Sequence, residues 1–131
     1  MTVVFWILVA AAALPYVWGG TSSYLRQKQF GALDNKNPRA QQAQLTGAGA
    51  RANAAQANAW EALAVFAPAA VLVLTRAPTS SLAPTLALVW LVARVLHGVM
   101  YLADVDKARS GCFAIALLSA VGLYLVGGGI L

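Results

Sequence analysis

Arg51, Asn58 and Glu61 are separated by seven and then three residues. On a helix that spacing places all three side chains on one face. Glu61 is the only ionisable residue between Ala52 and Thr75, a run made mostly of Ala, Val, Leu, Phe and Trp. A carboxylate at the centre of a bilayer costs about 2.5–3.5 kcal/mol on insertion scales, so such a group faces a partner or a cavity. A second set, Arg94, His97 and Tyr101, recurs at i, i+3 and i+7 and again shares one helical face. Further on, Arg109 and Ser110 stand at the threshold of the last apolar segment. There a permanent cation and a helix N-terminus together favour an anion. Taken singly, these residues fit blander roles: an ion pair that fixes helix register, a packed histidine, an interface tyrosine, a topology-setting arginine beside an N-cap serine. Together they exceed what register needs and point to a polar binding cavity.

The elements that must position them are membrane helices. The 131 residues are 60% hydrophobic and 10% charged, and the mean hydropathy is +0.70. A soluble domain carries about 25% charged residues, so the chain reads as an all-α integral membrane protein. Four apolar segments each supply the roughly 20 residues that cross about 30 Å of hydrocarbon. The spacing predicts helices over 2–25, 51–75, 80–103 and 109–130, packed as one four-helix bundle, with a polar loop over 26–50. No Lys or Arg precedes Arg26, so the first segment reads as a span rather than a cleaved signal. Trp18 and Tyr24 near its inner end suit a membrane interface.

Charge sets the orientation. Arg26, Lys28, Lys36, Arg39 and Arg51 lie in or beside the first loop, and Lys107 and Arg109 lie between the third and fourth spans. Only Arg76 marks the turn between the second and third. The positive-inside rule then places the first and third loops in the cytoplasm and both termini on the outer side of the membrane. The net charge of +5 restates this topology, and no basic groove with interleaved aromatics suggests nucleic acid as a partner. Cys112 is the only cysteine and has no His or Cys partner in sequence. It reads as a packing residue, and no metal site is expected.

A short turn around Arg76, Ala77 and Pro78 makes the second and third spans an antiparallel hairpin, with Thr79, Ser80 and Ser81 as candidate N-caps. Residues whose numbers sum to 155 then lie at about equal depth. Glu61 is expected level with Arg94, Asn58 with His97, and Arg51 with Asp104, so one helix's polar layers meet the other's. Arg26, just beyond the first span, is placed to reach the cytoplasmic mouth of such a site.

The strings Arg51…Asn58-x-x-Glu61 and Arg94-x-x-His97-x-x-x-Tyr101…Arg109-Ser110 resemble the MAPEG superfamily, membrane-associated proteins in eicosanoid and glutathione metabolism. The second string is particularly like the prostaglandin E synthase branch, while DNKNPRA…LTG…RANAAQAN looks like bacterial members. The resemblance covers most of the chain and implies a four-helix membrane protein, typically a homotrimer. It implies glutathione held by Asn58, Glu61, Arg94, His97 and Tyr101 between subunits, with Arg51 and Arg26 at its carboxylates. Arg109 and Ser110 would stand at its sulfur as the catalytic pair, because an adjacent cation favours the thiolate nucleophile. The activity implied is a glutathione transferase or peroxidase acting on a small hydrophobic electrophile dissolved in membrane lipid. Family enzymes commonly carry arginine one turn before the asparagine and tyrosine after the glutamate, where this chain has Ala54 and Ala62. Two other readings stand beside this one: a non-catalytic protein of the same fold, and a small proton-coupled multidrug exporter in which Glu61 exchanges protons for a cationic drug. Small exporters of that kind usually place the carboxylate in the first helix, which here is uncharged.

Overall fold

The computed structural model describes residues 3–131, so Thr2, the first residue of the first expected span, lies outside the described residues. The element order is α1 (Val3–Phe30), α2 (Pro38–Ala43), α3 (Gly47–Arg76), α4 (Ala83–Leu102) and α5 (Asp106–Gly127). Helices α1, α3, α4 and α5 are each long and apolar enough to cross a membrane. The chain is an integral membrane protein with the all-α, four-span architecture expected from its sequence. α3 and α4 touch each other and both touch α1 and α5, so the hairpin is the centre of the bundle.

Several element boundaries differ from the expected ones. α1 continues to Phe30 rather than stopping at Leu25, because LRQKQ holds no Gly or Pro; the break comes at Gly31, whose φ is +80°. The polar loop is not featureless. Asp34 accepts hydrogen bonds from the backbone N–H of Lys36 (2.9 Å) and Asn37 (2.9 Å), and Pro38 opens the short α2. α3 begins at Gly47, four residues before Arg51. Ser80 alone of the three candidate caps is used, its Oγ accepting the N–H of Ala83 at 3.2 Å.

The core is concentrated at the end of the bundle nearest the α3–α4 turn and the termini, here the hairpin end. Phe66 stacks on Trp90 with ring centroids 3.9 Å apart. Val4, Ile7 and Ala11 of α1, Val73 of α3, Ala87 of α4 and Leu123 of α5 close around them. Much of this contact surface is alanine, which lets membrane helices approach closely. Gly127 takes this furthest: a Cβ there would lie 2.7 Å from Cγ of Leu72. Large apolar residues such as Trp6, Leu88 and Leu118 point outward, as lipid contact requires.

Trp18 corrects an expectation. It is not an interface anchor but is 8% exposed. Its indole lies flush against Gly98 of α4, where any Cβ would collide with the ring. That contact sits at the other end of the bundle, the connector end, where α2 and the α4–α5 turn lie.

Candidate functional site

The polar residues of α3, α4 and α5 gather at the connector end. Arg94 is 3% exposed. Its Nη2 donates to the side-chain oxygen of Asn58 at 2.7 Å and to the Asn58 carbonyl at 3.2 Å. Asn58 in turn donates its Nδ2 to Oε2 of Glu61 at 3.2 Å. The equal-depth expectation put Glu61 opposite Arg94 and Asn58 opposite His97, but Asn58 is the residue that joins the carboxylate to the guanidinium. The physical reason is that Asn58 presents two acceptors to one nitrogen, whereas Glu61 lies on the exposed flank of α3. Asn58, Glu61 and Arg94 form the polar end of a cavity of about 240 Å³ between α3, α4 and α5. Trp90, Val65, Phe113 and Leu117 form its apolar walls. The sequence reading missed Trp90 and Phe113. Their signal was available, since each stands one turn from a charged residue on the same face, Trp90 before Arg94 and Phe113 after Arg109.

One turn nearer the connector, His97 and Tyr101 meet edge to face with centroids 5.6 Å apart. The guanidinium of Arg109 lies 4.3 Å from the Tyr101 ring centroid, a cation–π contact that bridges α5 to α4. His97 is 4% exposed and its Nδ1 has no hydrogen-bond partner among the described residues. Arg94, His97, Tyr101 and Arg109 therefore form one column descending from the cavity.

The structure places the remaining expected residues differently. Arg51 donates Nε to the Leu102 carbonyl at 3.2 Å and pairs with Asp104 at 3.5 Å. It ties α3 to the end of α4, at the depth the hairpin arithmetic expects. Arg26 is 6% exposed and donates Nη1 to the Pro38 carbonyl at 3.3 Å, so it anchors the connector beneath α1, with its Nε unpartnered. Ser110 is exposed and is not an N-cap. α5 starts at Asp106, and the Arg109 N–H is already bonded to the Val105 carbonyl at 3.1 Å. The free N–H groups of that helix end thus precede Arg109 and Ser110, leaving the Arg109 side chain as the cationic feature there. Cys112 is half-buried against an apolar groove formed with Val92 and Leu96.

The arrangement can hold a small ligand bearing both charges. Glu61 offers a carboxylate to a cation, while Arg94 and Arg109 offer guanidinium donors to anions. Among the described residues the one ion pair is Arg51–Asp104, so neither Arg94 nor Arg109 is neutralised by a carboxylate within 4.0 Å. A model of the MAPEG family matches residues 3–129 of the chain. No curated protein and no solved structure matches it.

Proposed function

The chain belongs to the MAPEG family, and on that premise we propose that it binds glutathione and serves as a membrane-bound glutathione transferase or peroxidase for a hydrophobic electrophile. The observation that carries this reading is the Glu61–Asn58–Arg94 relay lining a cavity, with the His97–Tyr101–Arg109 column beneath it. The residues present fit the tripeptide. Glu61 suits its ammonium, and Arg94 suits a carboxylate through the N–H groups it does not give to Asn58. The unpartnered Nδ1 of His97 is a buried polar atom that a polar ligand or water would satisfy.

When bound, glutathione supplies a thiol whose ionised form is the nucleophile. Arg109 adds the positive charge that favours ionisation, and Tyr101 holds that guanidinium in place through its ring. Asn58 fixes the relative position of Glu61 and Arg94. Trp90, Val65 and Leu117 give the cavity its apolar wall, which keeps water from the reacting groups. Arg26 and Arg51 act here as positioning residues for the connector and the α3–α4 contact.

The cavity of about 240 Å³ is slightly below the roughly 300–1,000 Å³ of small-molecule sites. It opens on the flank where Glu61 and Phe113 are exposed. A neighbouring subunit would close it, and a homotrimer is the assembly that the family resemblance implies. The membrane is a bacterial inner membrane, with both termini periplasmic and the connector cytoplasmic. In a Cys112→Ser background, a Cys at Asn35 should resist an impermeant thiol reagent in intact cells and react after permeabilisation. Labelling of Asn35→Cys in intact cells would reverse the orientation.

The functional test separates two roles. Glu61→Gln should weaken glutathione binding by about 1–3 kcal/mol, the worth of a charge-assisted contact. Arg109→Ala should lower the thiolate fraction, read from its ultraviolet band, and cut turnover more than binding. An Arg109→Ala protein with unchanged thiolate and turnover removes the catalytic role of Arg109. Absence of glutathione binding by the unmodified protein leaves a non-catalytic member of the fold.

A further inference from the structure

The Glu61 cavity is polar at one end only. Its charged and amide side chains, Asn58, Glu61 and Arg94, all stand at the connector end. Toward the hairpin end the same three helices continue as apolar walls. On α3, Ala62 and Val65 follow Glu61, and α4 adds Trp90 one turn from Arg94. On α5, Phe113, Ala116, Leu117 and Ala120 recur at i, i+3, i+4 and i+7 and so share one face. The space exists because positions 62, 116 and 120 are alanine, where longer side chains would fill it.

This apolar compartment is blind. One turn beyond Ala120, Tyr124 donates its hydroxyl to the Val65 carbonyl at 3.0 Å and ties α5 to α3. From Phe113 to Ala120 the helix rises about 10 Å, which is the depth available. The Trp90 wall is fixed, because its ring is 2% exposed and stacked on Phe66. Phe113 is 46% exposed and stands at the mouth, one turn from Arg109.

A charged tripeptide does not suit such walls. Carboxylates and an ammonium set among alanines have no partners, and a stranded charge costs far more than an apolar group. Glutathione therefore keeps to the polar end and the flank beside it, and the apolar end is left for the other reactant. Volume then limits what enters. An apolar cavity of about 150 Å³ stays dry and takes benzene. The 240 Å³ or so present here holds one ring with short substituents, whereas an extended fatty chain meets the Tyr124–Val65 closure.

We propose that this compartment is the acceptor subsite and selects a compact aromatic electrophile, an inference that rests on the glutathione reading above. The ring lies against Trp90 among Ala62, Ala116 and Ala120, with its reactive carbon at the mouth beside Phe113. There it meets the thiol held near Arg109. The three alanines are the specificity-determining residues. Walls and floor all come from one chain, so the subsite keeps its shape while a neighbouring subunit covers the open flank.

The test compares two enones with one reacting group, benzylideneacetone and its analogue with dodecyl in place of phenyl. Each rate with the full-length protein in detergent is divided by its uncatalysed rate with free glutathione. Addition forms a carbon–sulfur bond at the β-carbon and shifts the alkene pair toward the carbonyl. Water supplies the α-proton, and the thiol proton has left to water on ionisation. Benzylideneacetone should gain about tenfold more from the protein than the dodecyl enone. Ala120→Leu should cut its rate about tenfold while glutathione binding, which certifies the fold, is retained. Ala62→Leu, at a half-buried position, should do the same and serves where Ala120→Leu does not fold. Occupancy is also read without glutathione. Photolysis with para-azidobenzylacetone should label the Trp90 or Phe113–Ala120 peptides, located by mass spectrometry. Benzylacetone should compete, and its dodecyl analogue should not. Equal acceleration of the two enones overturns the proposal and leaves the glutathione reading standing. So does an Ala120→Leu protein that binds glutathione and keeps the full benzylideneacetone rate. Absence of glutathione binding removes the reading above, and the photolabel then decides alone: label outside those peptides, or equal competition, overturns the subsite.

Discussion

The two ends of the bundle are built on different principles. At the hairpin end, Phe66, Val73, Leu123 and a lattice of alanines are buried with no polar atom among them. The hydroxyls nearby bond within their own helices: Thr75 to the Val71 carbonyl at 2.9 Å and Ser119 to the Ile115 carbonyl at 2.9 Å. At the connector end, the buried side chains include Ser22, Arg26, Arg94 and His97. Among the described residues, the buried side-chain polar atoms without a partner, Ser22 Oγ, Arg26 Nε and His97 Nδ1, belong to that end. Each such atom costs about 1–3 kcal/mol when left unsatisfied. The hairpin end is therefore the stabilising half, and the connector end holds polar groups that only a ligand, water or partner completes. A membrane protein can carry such a half because the other half is closely packed.

The largest expected effect comes from breaking the packed half. Phe66→Ala removes a ring that is 0% exposed and stacked on Trp90. It should lower stability by about 3–5 kcal/mol. Reversible unfolding in mixed micelles measures this. If the protein binds glutathione as proposed, the affinity of the fraction that remains folded should fall less than the stability does, because Phe66 reaches the Glu61 cavity only through the Trp90 wall. A stability loss below 1 kcal/mol would erase the proposed division between the halves.

A smaller effect should follow from the packing contact within the connector end. Gly98→Ala places a methyl group against the Trp18 indole, and overpacking of this kind costs about 1–3 kcal/mol. Trp18→Leu in the same chain should recover part of the loss. The same unfolding assay reads both, and a pair of additive losses would show that the contact is not the cause.

Much of this was legible in the sequence, and the parts that were not share a cause. Four spans, the hairpin and the polar face of α4 follow from local periodicity, because helical spacing fixes which residues share a face. The Arg51–Asp104 pairing followed from counting outward from one short turn. The burial of Trp18 was not legible. It depends on Gly98, 80 positions away, lacking a side chain at the one place where α1 crosses α4. The role of Asn58 between Glu61 and Arg94 was equally hidden, since equal depth does not say which acceptor a long guanidinium side chain reaches. The start of α5 was misplaced by three residues because Asp104, with φ of 62°, ends the preceding turn in a conformation that sequence spacing does not reveal.

The smallest expected effect concerns Arg51 and Asp104, the ion pair at the edge of the polar half. The Asp104 side chain is 71% exposed and that of Arg51 31% exposed, with 3.5 Å between the charged atoms. Pairs this open contribute about 0.2–1 kcal/mol and weaken with salt. The two single variants should not be equal. Arg51→Gln also gives up the hydrogen bond to the Leu102 carbonyl, which adds the worth of one more bond, roughly 1 kcal/mol. Asp104 occupies the left-handed region, so Asp104→Ala would mix lost charge with backbone strain. Asp104→Asn removes the charge while keeping a residue that tolerates that conformation. A double-mutant cycle of Arg51→Gln with Asp104→Asn should therefore give a coupling under 1 kcal/mol that vanishes in high salt. A salt-resistant coupling of several kcal/mol would mean that the pair is shielded from solvent. The polar half would then extend as a closed layer to the end of α4.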